Sequence, residues 1–216
     1  EEIRNYPVNL DGNNNRTLLP GDFIYKDVNG DGIINGMDER PIGYPEGWAP
    51  IMSFGGNIGL AWKGIDLNID LSGGAMQGWR QNYELANAYH GNGNSPVYLL
   101  EDRWHRADLY DPESEWIPGR YPAIRKGEFS YNNKNSDFWL HNVRYLRIKN
   151  LEVGYSLPAQ LLRPIRAQKV RIYANVSNLC SFDNVGKFGV DPEITAAAAV
   201  VYPQQRTFLL GFNITY

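Results

Sequence analysis

From Thr207 to Tyr216 the chain alternates without a break. Phe208, Leu210, Phe212, Ile214 and Tyr216 fall on one face, and Thr207, Leu209, Gly211, Asn213 and Thr215 on the other. Side chains along a strand point to opposite faces with a period of two, so this segment has an oily, ring-rich face and a small or polar one. A strand packed on a soluble core fits that pattern. So does a strand of an outer-membrane barrel, whose apolar face meets lipid and whose polar face meets the lumen.

Four earlier segments read as strands, giving predicted strands over 52–62, 65–74, 143–157, 169–179 and 205–216. Phe54, Gly56, Ile58, Leu60 and Trp62 share a face. After the turn Lys63-Gly64, Ile65, Leu67, Ile69 and Leu71 alternate with Asp66, Asn68, Asp70 and Ser72, which predicts a tight hairpin. In the next segment Leu146 and Ile148 share a face and then Leu151, Val153 and Tyr155 do, so the phase slips near Asn150 and predicts a bulge. The connections are short, long, short, long: Lys63-Gly64, then 75–142, then Pro158 to Gln168, then 181–203. In an up-and-down barrel that order puts short turns at the periplasmic end and long loops at the cell exterior.

The expected fold class is therefore all-β, an antiparallel transmembrane β-barrel with long extracellular loops. The division is 1–50 as an extracellular loop and 51–216 as barrel strands. Asp66, Asp70, Arg147, Lys149, Glu152 and Arg171 on the polar faces suit a wet lumen. Five strands are too few to close a barrel, which needs about eight, so the chain is expected to be the end of a longer protein. No apolar run is long enough for a membrane helix. A net charge of −3 with mixed signs leaves no basic footprint for nucleic acid. Cys180 stands alone and forms no internal disulfide. A secreted or surface β-domain that is stabilised by Ca²⁺ and binds carbohydrate remains the competing reading.

The sharpest chemical motif is Asp27-Val28-Asn29-Gly30-Asp31-Gly32-Ile33-Ile34-Asn35-Gly36-Met37-Asp38. Oxygen side chains stand at loop positions 1, 3, 5, 9 and 12, with glycine at 6 and the Ile33 carbonyl available at 7. Ca²⁺ takes six to eight oxygens, and this spacing wraps them around one centre. The expected ligands are Asp27, Asn29, Asp31, Ile33, Asn35 and Asp38. An Asx-rich turn without metal is the plain alternative.

No catalytic constellation is present, and the expectation is a protein that is not an enzyme. His90, His105 and His141 are spaced unlike metal ligands, and Glu101, Asp102, Glu113 and Glu115 are ordinary loop acids. The long loop is rich in rings. Trp79, Trp104 and Trp116 are candidates for stacking on substrate, with a small loop core the equal alternative.

These residues together resemble a known family. Pro20-Gly21-Asp22 to Gly32, Ile42-Gly43, Phe54-Gly55-Gly56-Asn57, Tyr145 to Pro158, Asn178-Leu179, Gly189 to Glu193 and Tyr202-Pro203 run in the order and spacing of the C-terminal portion of SusC/RagA TonB-linked outer-membrane transporters. The resemblance implies a barrel of about 22 strands, of which these are the last five, in the bacterial outer membrane. It also implies an N-terminal plug and TonB-contacting segment that match nothing in these residues. Import of glycans or peptides beneath a SusD-class surface lipoprotein is implied as well.

Overall fold

A computed structural model describes residues 2–47, 49–125, 130–193, 202 and 204–216. Seven strands occur among them: β1 Met52–Trp62, β2 Ile65–Arg80, β3 His105–Arg106, β4 Trp116–Ile117, β5 Leu140–Ser156, β6 Lys169–Asp183 and β7 Thr207–Thr215. Five form one sheet in the order β1-β2-β5-β6-β7, and β3 pairs with β4 alone. The pairs β1–β2, β5–β6 and β6–β7 are antiparallel. No helix among the described residues is long and apolar enough to cross a membrane.

The chain packs as two units. The first to consider holds the sheet: 44–79, 142–196 and 200–216. Its hairpin turns at Lys63 and Gly64 with φ of 48° and 87°, the doubly left-handed backbone that matches the twist of the flanking strands. Register then keeps the oily faces in line. Ile58 lies opposite Ile69 and Leu60 opposite Leu67, while Val176 meets Phe208 and Ile172 meets Phe212. This face is not covered: Phe208, Leu210 and Phe212 are 71%, 84% and 70% exposed.

The expected slip is present, with an added feature on the facing strand. Ile148 pairs with Cys180, but Asn150 pairs with Ser177, so β6 spends one more residue than β5 across the irregularity. Asn178 takes the left-handed backbone there, φ 53°, a conformation asparagine adopts more readily than most residues. Three strands outrun their sequence limits, β6 running on to Asp183 where 179 was expected. β2 continues past Gly73-Gly74 to Arg80, and β5 begins at Leu140.

The polar face of the sheet is bonded across strands. Arg171 of β6 donates Nη2 to Glu152 of β5 (2.7 Å), and reaches past β5 to Asp66 of β2 with Nε (3.0 Å) and Nη2. It can do so because position 154 is glycine; a Cβ there would collide with the guanidinium. Asn57 donates to Asp70 across the hairpin at 2.7 Å.

The second unit joins 1–43 to 80–141. The chain is thus not divided at residue 50: Leu10 and Leu18 find their apolar partner in Tyr131, and Phe23 packs against both that cluster and the one made by Leu99, Tyr121 and Trp139. Fully burying a leucine contributes roughly 1.5–3 kcal/mol, so the leading segment gains its order from residues a hundred positions on. Tyr131 donates its hydroxyl to the Phe23 carbonyl (2.6 Å) and Tyr25 to the Tyr131 carbonyl (2.7 Å). Burial pushes both phenols above their ordinary range.

If Gly154 is glycine in order to clear Arg171, Gly154→Val lowers the guanidinium unfolding midpoint of the intact protein by the equivalent of about 1–2 kcal/mol. Added to Arg171→Ala, the same change costs nothing more, because the group it strikes has gone. Additive losses would refute this.

Candidate functional site

The Asp27–Asp38 loop closes on its own carboxylates. Both Asp27 oxygens accept backbone amides, from Gly30 (2.6 Å) and Gly32 (2.8 Å). Asp31 accepts the Ile33 amide (2.9 Å) and the Asn29 side-chain amide (2.8 Å). Asp38 accepts the amides of Asn35 and Val28, each at 2.8 Å, and these bonds hold its carboxyl below the usual carboxylate range. Asn35 caps the short 3₁₀ turn Gly36–Asp38. Gly30 and Gly32 both sit at φ 79°, where glycine is at no disadvantage. The donor set, all oxygen, is of the kind a hard cation takes. Among the described residues, however, no three or more His, Cys, Asp or Glu side chains converge closely enough to hold a metal as placed.

A short parallel bridge ties the loop to the N-terminal segment: Asn9 donates its amide to the Gly32 carbonyl (2.8 Å) and accepts from Ile34 (3.1 Å). That segment is itself organised around Asp11. Burial alone would raise the Asp11 carboxyl. The Thr17 hydroxyl (2.6 Å) and the amides of Thr17, Asn13 and Asn15 outweigh it and bring it down to about 2.

The three candidate tryptophans have different surroundings. Trp79 is 3% exposed and packs against Phe188, ring centroids 5.7 Å apart, so it offers no free stacking face. Trp116 is half-buried in the β3–β4 hairpin with the Arg106 guanidinium 4.5 Å from its ring centre. Trp104 is half-buried and lies directly over Gly21, where any Cβ would strike the indole. Trp139 and Tyr121 belong to the core. A cavity of about 540 Å³ does exist in this unit, lined by Asn87, His90, Tyr121, Arg125, Asn132 and Trp139 among others.

Asp22 has a role that sequence spacing did not reveal. Its side chain, 2% exposed, pairs with Arg125 and accepts from Asn132 Nδ2 (2.7 Å) and the Leu19 amide (2.7 Å). The Pro-Gly-Asp triplet is therefore a joint: Gly21 admits Trp104, and Asp22 fastens the turn to the far end of the long loop. The second missed feature is Arg147 on β5, buried at 5% exposure and bonded to acids of the 184–206 connection. A basic Arg-x-Lys on one face and an Asp-Pro-Glu in the following loop is the complementary charge signal that points to it.

No family model matches the chain. Among characterised proteins it is 27% identical over 210 residues to TonB-dependent receptor P3 of Formosa agariphila, covering 91% of this chain and 19% of that protein. It is 33% identical over 99 residues to TonB-dependent receptor SusC of Bacteroides thetaiotaomicron, covering 44% of this chain and 9% of SusC. The fold matches the RagAB peptide importer in its closed-closed state with a TM-score of 0.56 at 22% identity, over 78% of this chain and 18% of that one. The chain thus resembles SusC/RagA-type TonB-dependent receptors in sequence and in fold. It spans about a fifth of the length of the P3 and P26 receptors it matches. Receptors of this class lie in the outer membrane, and the outward oily face of this SusC/RagA-like sheet is the physical counterpart of that location.

Asp22→Ala leaves Arg125 without its carboxylate in a nearly dry site, a loss of about 3–5 kcal/mol. Expected is rapid tryptic cleavage within 1–43 and 80–141 of the full-length protein, with the sheet intact. Unchanged cleavage would show that Asp22 is not the joint.

Proposed function

We propose that this chain forms part of the barrel wall of a TonB-dependent importer in the outer membrane, taking up glycans or peptides together with a SusD-like surface lipoprotein. The observation that carries the reading is the two-faced sheet. Its outer side presents Phe208, Leu210 and Phe212 uncovered, while its inner side holds a bonded row of Asp66, Asp70, Glu152 and Arg171. A lipid exterior and a wet interior fit that division. A free-standing carbohydrate-binding β-domain would leave those outer rings in water, where contiguous apolar patches of this extent are rare.

Orientation follows from the connections. The two-residue turn at Lys63-Gly64 and the 157–168 connection belong at the periplasmic end; 81–139 and 184–206 belong outside. Substrate choice is assigned to the exterior segments, since loops on a rigid scaffold carry recognition. Trp104 and Trp116 remain the candidate ring contacts there. In full-length protein with Cys180→Ser, an impermeant maleimide should label Glu113→Cys on intact cells and Gln160→Cys only after the outer membrane is broken. The reverse pattern would invert the orientation, and labelling of both on intact cells would remove the membrane reading.

We further propose that Ca²⁺ binds the Asp27–Asp38 loop through Asp27, Asn29, Asp31, the Ile33 carbonyl and Asp38, with Asn35 direct or through water. The all-oxygen donor set supports this, and the bound ion would supply rigidity rather than chemistry. Calorimetry of the full-length protein should give a Ca²⁺ heat that Asp31→Ala abolishes. The absence of any heat would leave the loop as a self-closed Asx turn.

A further inference from the structure

The connection after β6 turns back over the polar face of its own sheet. Val185, Phe188 and Val190 are buried, and Phe188 stacks obliquely on Trp79 of β2. Beyond them Asp191 and Glu193 meet the wall. Arg147 gives Nη2 to Asp191 (2.6 Å) and Nη1 to Glu193 (3.1 Å); Lys149 adds a bond to the same Glu193 oxygen (2.6 Å). The other Glu193 oxygen accepts from Ser72 Oγ of β2 (3.0 Å), and Arg147 Nη1 is shared with Gln204 (3.0 Å). Glu193 donates its own amide to Asp191 (2.8 Å), which presents both carboxylates to one guanidinium.

Apolar contacts alone would dock residues 185–190. They do not require two acids to be placed against an arginine whose side chain is only 6% exposed. A buried pair of this kind is a weak source of net stability, because desolvation offsets attraction, yet losing one partner is costly. Such a contact has two defined arrangements, made or broken, rather than a gradual one. We propose that residues 185–193 are an inward strap latched to the wall by Arg147, and that unlatching uncovers the polar face around Ser72. The functional sense of the strap, narrowing the space beside that face, rests on the importer reading; the latch itself does not.

The test uses the full-length protein in detergent with Ser72→Cys as the sole cysteine and a hydrophilic maleimide as probe. With the latch intact, Cys at 72 should react slowly. Asp191→Asn with Glu193→Gln should speed labelling by at least about tenfold, since local opening sets the rate of attack on a covered group. Arg147→Met should do the same; if it fails to assemble, the uncharged strap decides. Arg171→Met breaks the neighbouring ion network and should leave the rate unchanged. Equal rates with and without the strap acids, in protein that keeps its heat-resistant barrel mobility, would overturn the latch, as would an equal rise in Arg171→Met. No cargo is needed, so the readings separate. Protein that unlatches but imports nothing refutes the importer and keeps the strap, whereas unchanged labelling in an importing protein refutes the strap alone.

Discussion

A strand that lies in lipid must satisfy every backbone N–H and C=O through its neighbours, at several kcal/mol for each group left open. Pairing also fixes which side chains face out, because a slip of one residue exchanges the two faces. In this sheet the exchange would be severe: Asn213 and Thr215 would replace Phe212 and Ile214 on the oily side. The pairs Val170–Ile214, Ile172–Phe212, Ala174–Leu210 and Val176–Phe208 hold β7 against that slip. The irregularity between Ile148 and Asn150 is what lets one strand serve two requirements. Above it Arg147 and Lys149 share the polar face, and below it Glu152 and Gly154 do. Without the slip one of those sets would point at lipid.

The polar face then carries the sheet's long-range chemistry. Arg171 spans from β6 to β2 over Gly154, and Arg147 spans from β5 to the returning connection. Both guanidiniums sit where water is scarce, so what they contribute is geometry more than net stability. Each fixes elements far apart in the chain at one relative position. The planar fork of arginine suits this, because it bonds two carboxylates at once, as Arg171 does with Asp66 and Glu152. Lysine is placed instead at 149, half-exposed, where one flexible bond to Glu193 is enough.

Local pattern made the strands legible, and only the strands. The hairpin at Lys63-Gly64, the slip near Asn150 and the two faces of the last strand follow from period and turn chemistry, which act between near neighbours. The end of β2 did not, because Gly73-Gly74 looks like a strand terminator. The strand continues because Gln77 and Trp79 stay extended, Gln77 donating to the Gly47 carbonyl at 2.6 Å. Trp79, for the same reason, points into packing rather than out toward a ligand. The joint at Asp22 was illegible for a different reason: its partner Arg125 is 103 residues away, and nothing in either local sequence marks the pairing. The Asp27–Asp38 loop shows the reverse. Its spacing is explicit in the sequence, yet its acidic side chains spend their oxygens on the loop's own amides rather than converging on one centre.

A long connection usually argues against a compact β reading, because about fifteen residues without structure is already unusual. Here the connection from β2 to β5 escapes that objection by borrowing a core. Trp139 donates its indole N–H to the Asn132 carbonyl (2.7 Å), Tyr131 bonds Phe23, and Phe23 comes from the segment ahead of β1. Two stretches far apart in the chain thus bury each other. The consequence for recognition is a narrowing of candidates. Rings that hold this unit together, Tyr121, Tyr131 and Trp139, are committed to packing. On the importer proposal, variation that alters cargo would fall on residues the core does not use. Those are the β3–β4 hairpin with Leu109 and Tyr110 exposed between its strands, the cavity rim at Asn87 and His90, and the outer edges of Trp104 and Trp116.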